Sequence, residues 1–185
     1  MIFSLTLKSI YLFIVKFYVV LLLLLKLPQT VFFSILIKLN LRQSIKNKAM
    51  KRNATAVWKG TLKEGNGVLT TDSKVLDNTQ YSFKTRFEDG IGTNPEELIA
   101  AAHSGCFTMQ LSAYITEEGF EIESLETECA VDFQDKSVVG SHLTVKGKVK
   151  DISEDMFKDL VSKAEKTCPI SRLLDTKITS EATLL

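Results

Sequence analysis

Apolar and polar residues alternate over two stretches in the second half of the chain. In Ser124–Phe133, "SLETECAVDF", Leu125, Thr127, Cys129, Val131 and Phe133 fall on one side, with Glu126, Glu128, Ala130 and Asp132 on the other. In His142–Lys150, "HLTVKGKVK", Leu143, Val145, Gly147 and Val149 oppose Thr144, Lys146, Lys148 and Lys150. A period of two marks half-buried strands, and the opposite charges of the outer faces predict that the two pair antiparallel. "ATAVWKGTLKEGNGVLTTD", Ala54–Asp72, reads as a hairpin turned through "EGNG", where Gly65 and Gly67 can take positive φ. "YSFKTRF", Tyr81–Phe87, alternates as a further strand with Arg86 pointing off its aromatic face.

Between these runs the period changes. Asn94 is placed as an N-cap, Pro95 at the first helical position and Glu97 where it would complete a capping box. Leu98, Ile99, Ala102, Cys106, Met109 and Leu111 follow at helical spacings, and Gly119 marks the stop. "LIAAAHSGCFTM" carries no charge, so this helix is expected to be largely buried. Ser153 caps a second helix with Met156, Phe157, Leu160, Val161 and Ala164 at helical spacing; "CPISRLL" opens a short third at Pro169, and "KITSEATLL" ends the chain as a strand. The order ββ(β)αββαβ predicts an α+β fold with antiparallel sheet.

A chain of 185 residues can bury the core of one domain, but its composition is uneven. Residues 1–49 hold seven Lys or Arg and no Asp or Glu, leaving 16 basic and 22 acidic residues, a net of −6, in residues 50–185. An acidic body argues against nucleic acid as a partner. Within Ile10–Pro28 the uncharged run Phe17–Leu25 is short for a spanning helix, and no small-residue cleavage step follows it. Two readings stand. Residues 10–25 could anchor the protein with Lys16 snorkelling, the basic flank then holding the body on the cytoplasmic side. Alternatively Met50 is the start and residues 1–49 are leader sequence; the abrupt change in composition favours this reading, with residues 50–185 as a cytoplasmic domain.

Cys106, Cys129 and Cys168 are odd in number and widely spaced, which fits neither a metal clip nor a disulfide framework and suits a reducing compartment. Cys129, on an apolar strand face, reads as core. Cys168 precedes Pro169 at a helix start, where unpaired amides and the dipole favour a thiolate. With Cys106 it could form a peroxidatic and resolving pair, one sulfur oxidised to sulfenic acid and the other condensing with it. Such a pair needs a cation to lower the first thiol's pKa and a carboxylate to hold that cation; Arg86 and either Glu96 or Glu97 are the candidates. His103, one helical turn before Cys106, is read as structural rather than as a base.

"AVWKG", "YSFKTRFEDGIGTNPEELIAAAHSGCFTM" and "CPISRLL" resemble the osmotically inducible protein C (OsmC) and organic hydroperoxide resistance (Ohr) family, nearer the OsmC branch, from about Lys51 to Leu185. The resemblance implies an intertwined homodimer, sheets from both chains wrapping central helices, with two active sites at the subunit interface. It implies Cys106 as peroxidatic thiol, Cys168 as resolving thiol, Arg86 stabilising the thiolate and Glu96 orienting Arg86. Glu97 is left to capping. The implied activity is a thiol peroxidase, an antioxidant oxidoreductase of the stress response that converts organic hydroperoxides to alcohols. It would use no bound cofactor or metal and be recycled by an external dithiol reductant of the lipoyl type. The competing reading is a non-catalytic, stress-associated binding protein of the same fold.

Overall fold

The computed structural model describes residues 50–185; the stretch 1–49, on which the anchor and leader readings rest, lies outside the described residues. Among the described residues no helix is long and apolar enough to cross a membrane.

The first three strands, β1 (Ala54–Lys59), β2 (Asn66–Thr71) and β3 (Thr79–Ser82), form an antiparallel sheet in that order. The expected β1–β2 hairpin is present, but its left-handed glycine is Gly60, at φ +92, rather than Gly65 or Gly67. Gly67 is required for space: a Cβ there would stand 2.5 Å from the Tyr81 ring.

The strand expected over Tyr81–Phe87 ends at Ser82, and Phe83–Phe87 forms the one-turn helix α1. Ser82 and Thr85 cap each other reciprocally, Thr85 N donating to Ser82 Oγ at 3.2 Å and Ser82 N to Thr85 Oγ1 at 2.9 Å. Alternation alone could not reveal that local competition. The turn brings Phe83 and Phe87 together with ring centroids 4.7 Å apart.

α2 (Pro95–Glu117) starts as expected, with Asn94 Oδ1 accepting from Glu97 N at 2.8 Å and Pro95 in the first turn. The capping box is not completed: the Glu97 carboxylate accepts from Thr93 Oγ1 at 3.3 Å. At the far end Gly119, at φ +87, lets Gly119 N reach Thr116 O and Phe120 N reach Ile115 O, closing the helix.

β4 (Ile122–Gln134) and β5 (Ser137–Val149) form a long antiparallel hairpin through Asp135 and Lys136, both at positive φ as a two-residue turn of this hand demands. Glu126 and Lys146 face each other across it. α3 (Glu154–Thr167) and α4 (Pro169–Leu173) then return the chain to β6 (Lys177–Leu184). β6 pairs with β5 in parallel, unlike the antiparallel sheet expected, because two helices form the crossover between them.

Phe107, Leu111 and Ile115 of α2, Leu143 and Val145 of β5, and Phe157, Leu160, Val161 and Ala164 of α3 make one core. Only this face of α2 is buried. The expectation of a largely buried helix fails within a single chain: Ala101, Ala102, Gly105, Met109 and Ala113 are exposed, Met109 at 77%.

The core has no slack at Gly147, where a Cβ would stand 2.5 Å from Cζ and 2.7 Å from Cε2 of the fully buried Phe157. Gly147→Ala is therefore expected to destabilise the fold by about 2 kcal/mol through overpacking. A denaturant midpoint equal to that of the unaltered chain would contradict this.

Candidate active site

Two pairs of side chains stand out, one charged and one of thiols. Arg86 on α1 meets Glu96 in the first turn of α2, Nη2 donating to Oε1 at 2.6 Å and Nε to both oxygens at 3.2 Å. Glu96, not Glu97, is thus the partner of Arg86. The guanidinium carbon also lies 5.2 Å from the Phe87 ring centroid and 4.7 Å from that of Phe133 on β4. The sequence pattern does not disclose this aromatic bed, because one of its rings comes from a strand 47 positions further along the chain than Arg86. It takes the guanidinium partly out of water and strengthens its pull on an anion.

The thiols Cys106 and Cys168 adjoin each other, both unoxidised. Cys106 lies in the middle of α2 and is partly buried; Cys168 caps α4 and is fully buried. Burial pushes the Cys106 thiol above its ordinary pKa, and the neighbouring Cys168 sulfur raises it further. The backbone amide of Ile170, in the first turn of α4, lies near enough to the Cys106 sulfur to favour its thiolate and oppose that rise. The helix start favours a different sulfur from the one expected: the Cys168 side chain makes no cap hydrogen bond, while the Ile170 amide of α4 favours the Cys106 thiolate. Sequence spacing carries no sign of this, since Ile170 is 64 positions from Cys106.

Within one chain the two pairs do not meet. Arg86 is absent from the groups acting on the Cys106 charge. Glu96 and Cys106 lie ten residues apart on one helix, about 15 Å along its axis.

His103, one turn before Cys106, is fully buried, with Nδ1 2.8 Å from Ser141 Oγ and Nε2 2.8 Å from Ser171 Oγ. Burial lowers its pKa, so the ring is neutral at pH 7. Cys129 adjoins the same group, 3.3 Å from Ser141 Oγ, and burial raises its thiol pKa. It is an inward-facing strand residue, as its alternation predicts.

Residues 88–183 match the family described as "OsmC-like protein". Peroxiredoxin OsmC of Escherichia coli is 39% identical over 132 residues, covering 69% of this chain and 92% of that protein. Organic hydroperoxide resistance protein OhrB of Bacillus subtilis is 34% identical over 109 residues, covering 57% of this chain and 79% of that one. The crystal structure of OhrB superimposes with a TM-score of 0.53 at 27% identity, covering 72% of this chain and 98% of the other. An OsmC-like protein from Mycoplasma pneumoniae shares the fold, with a TM-score of 0.59 at 16% identity over 75% of this chain and 99% of the other. The chain belongs to the OsmC-like family.

Proposed function

We propose that the protein is a cytoplasmic thiol peroxidase that reduces organic hydroperoxides to alcohols. The observation that carries this reading is the adjoining Cys106–Cys168 pair, with the Ile170 amide near the Cys106 sulfur. The names of its relatives, a peroxiredoxin and a hydroperoxide resistance protein, agree with it.

In this reading Cys106 thiolate attacks the terminal oxygen of the hydroperoxide. An S–O bond forms, the O–O bond breaks, and the departing alkoxide takes a proton to become the alcohol, leaving Cys106 as sulfenic acid. The Cys168 thiol then attacks that sulfur; a disulfide forms and hydroxide leaves with the thiol proton as water. An external dithiol, lipoyl-type by analogy with the family, exchanges with the disulfide and returns both thiols. No bound cofactor enters these steps.

A partly buried thiol whose pKa is raised is little ionised, so Cys106 needs a cation, and among the described residues its own chain brings none to it. A second copy of the chain can supply one. The uncharged α2 face bearing Ala102, Gly105 and Met109 is open, and β1 is exposed along nearly its whole length, as expected of surfaces that a homodimer covers. In that assembly Arg86 of each protomer, held by Glu96, stands beside Cys106 of the other. Phe87 and Phe133 beside the guanidinium, with Phe83 packed on Phe87, give the site an apolar wall suited to an alkyl hydroperoxide.

One equivalent of an organic hydroperoxide should remove two hydrogens from the reduced protein, and peptide mapping should place the crosslink between Cys106 and Cys168. Oxygen added at methionines alone would instead favour a non-catalytic binding protein. Cys106→Ser should abolish peroxide consumption.

Arg86→Ala should move the inflection of the rate–pH profile upward. Thiolate is the reactive form, and losing the guanidinium favours the neutral thiol, so the rate at pH 7 should fall about tenfold for every pH unit that the inflection rises. Subunit exchange tests the shared site directly. Mixing Arg86→Ala with Cys106→Ser gives hybrid dimers holding one complete site, and about a quarter of the unaltered activity should return. If both groups came from one chain, the mixture would show no more than the mean of the two separate variants.

A further inference from the structure

His103 and Ser171 are absent from the peroxidase chemistry above, yet they are buried beside it and joined to each other. His103 precedes Cys106 by three residues on α2, and Ser171 follows Cys168 by three residues on α4. Residues three apart on a helix lie on one face, so the two helices are linked by two neighbouring rungs. One rung is the thiol pair; the other is the 2.8 Å hydrogen bond between His103 Nε2 and Ser171 Oγ.

α4 needs such a tie. It spans only Pro169–Leu173, too short to be stable alone; of those residues Ser171 is buried, next to the buried cap Cys168, and Ile170 is partly buried against the core. Pro169, Arg172 and Leu173 are exposed. The other end of the imidazole is fixed by Ser141 on β5, the central strand of its sheet, so the ring passes the position of that strand to α4. A neutral imidazole has one donor and one acceptor nitrogen, and two hydroxyls satisfy both without a buried charge.

We infer that His103 and Ser171 are positioning residues for disulfide closure: their hydrogen bond holds α4 so that the Cys168 thiol stands within reach of Cys106 when Cys106 is a sulfenic acid. The step they serve is Cys106–SOH plus Cys168–SH giving the disulfide and water, with no further oxidant. This inference rests on the peroxidase reading, which supplies the sulfenic acid. The same hydrogen bond sets the Ile170 amide on the Cys106 sulfur, so its loss touches the first step as well, but by way of only one of the groups that act on the thiolate.

The two steps can be timed separately in one turnover, with sulfenic acid trapped by a dimedone-type reagent and the disulfide quenched and weighed. Ser171→Ala removes the rung and leaves the ring on Ser141; His103→Phe removes both hydrogen bonds. In Ser171→Ala, closure should slow about tenfold or more, so that sulfenic acid accumulates and is readily trapped, while its formation changes far less. His103→Phe should behave the same way if it folds; Ser171→Ala decides the matter if it does not. Closure at the unaltered rate in Ser171→Ala, or formation and closure slowed by the same factor, would overturn the inference. If the unaltered chain forms no sulfenic acid at all, the peroxidase reading itself falls, a result distinct from either of these.

Discussion

Ten residues of α-helix between Glu96 and Cys106 are the constraint from which the arrangement of this protein follows. At a rise of 1.5 Å per residue, about 15 Å of helix axis keeps the Arg86–Glu96 ion pair away from the thiol on the same chain. A rigid helix cannot be shortened to bring them together. Among the described residues, the sheet β1–β3 with α1 touches the other elements chiefly at one corner. There Arg86 bonds Glu96, the Asn94 amide donates to Thr85 O at 3.2 Å, and Phe87 leans on Phe133. A three-stranded sheet tied down at one corner lacks the covered face such a sheet needs for stability. In the proposed dimer one assembly step covers that sheet, covers the open side of α2 and completes the site, so folding and catalysis share a requirement.

The electrostatics lead to the same place. Burial disfavours the Cys106 thiolate, and the sulfur of Cys168 adds to the penalty, leaving the Ile170 amide as the opposing group supplied by its own chain. A dry environment that penalises an isolated anion also amplifies a nearby cation, so a guanidinium gains leverage where an exposed one would be screened. The Phe87 and Phe133 rings and the Glu96 carboxylate fix Arg86 before any partner arrives, so little side-chain freedom remains to be lost on binding.

What can be read from the sequence divides by range. Asn94, Pro95 and Gly119 mark the ends of α2 because caps are contacts between near neighbours. β4 and β5 are legible from alternation because alternate residues along each strand are the less exposed ones. The four-residue exchange between Ser82 and Thr85 escapes such a reading, since "YSFKTRF" satisfies a strand pattern equally well and only the hydroxyl pairing decides. The direction of β6 is set by the crossover rather than by its residues. At the site, residue types suggest the thiols and the Arg–carboxylate pair but leave Glu96 and Glu97 open; the family resemblance points to Glu96, and the ion pair is seen there. Ile170 could not be found at all, because a backbone amide has no signature in the identity of its side chain.

The polar cluster around His103 raises a question of energetics. Its hydrogen bonds replace hydrogen bonds to water, so each contributes only about 1 kcal/mol net, and well-packed apolar residues of similar volume could match that. Stability alone therefore gives little reason to bury an imidazole and two hydroxyls. Direction is what such a cluster provides. Apolar contacts tolerate sliding by a fraction of an ångström, while a 2.8 Å hydrogen bond at each end of a rigid ring does not. Sulfur–sulfur bond formation is a reaction between two atoms on separate helices, so its rate depends on how well those helices keep their register. A polar rung one turn from the sulfurs sets that register where an apolar one would leave it loose.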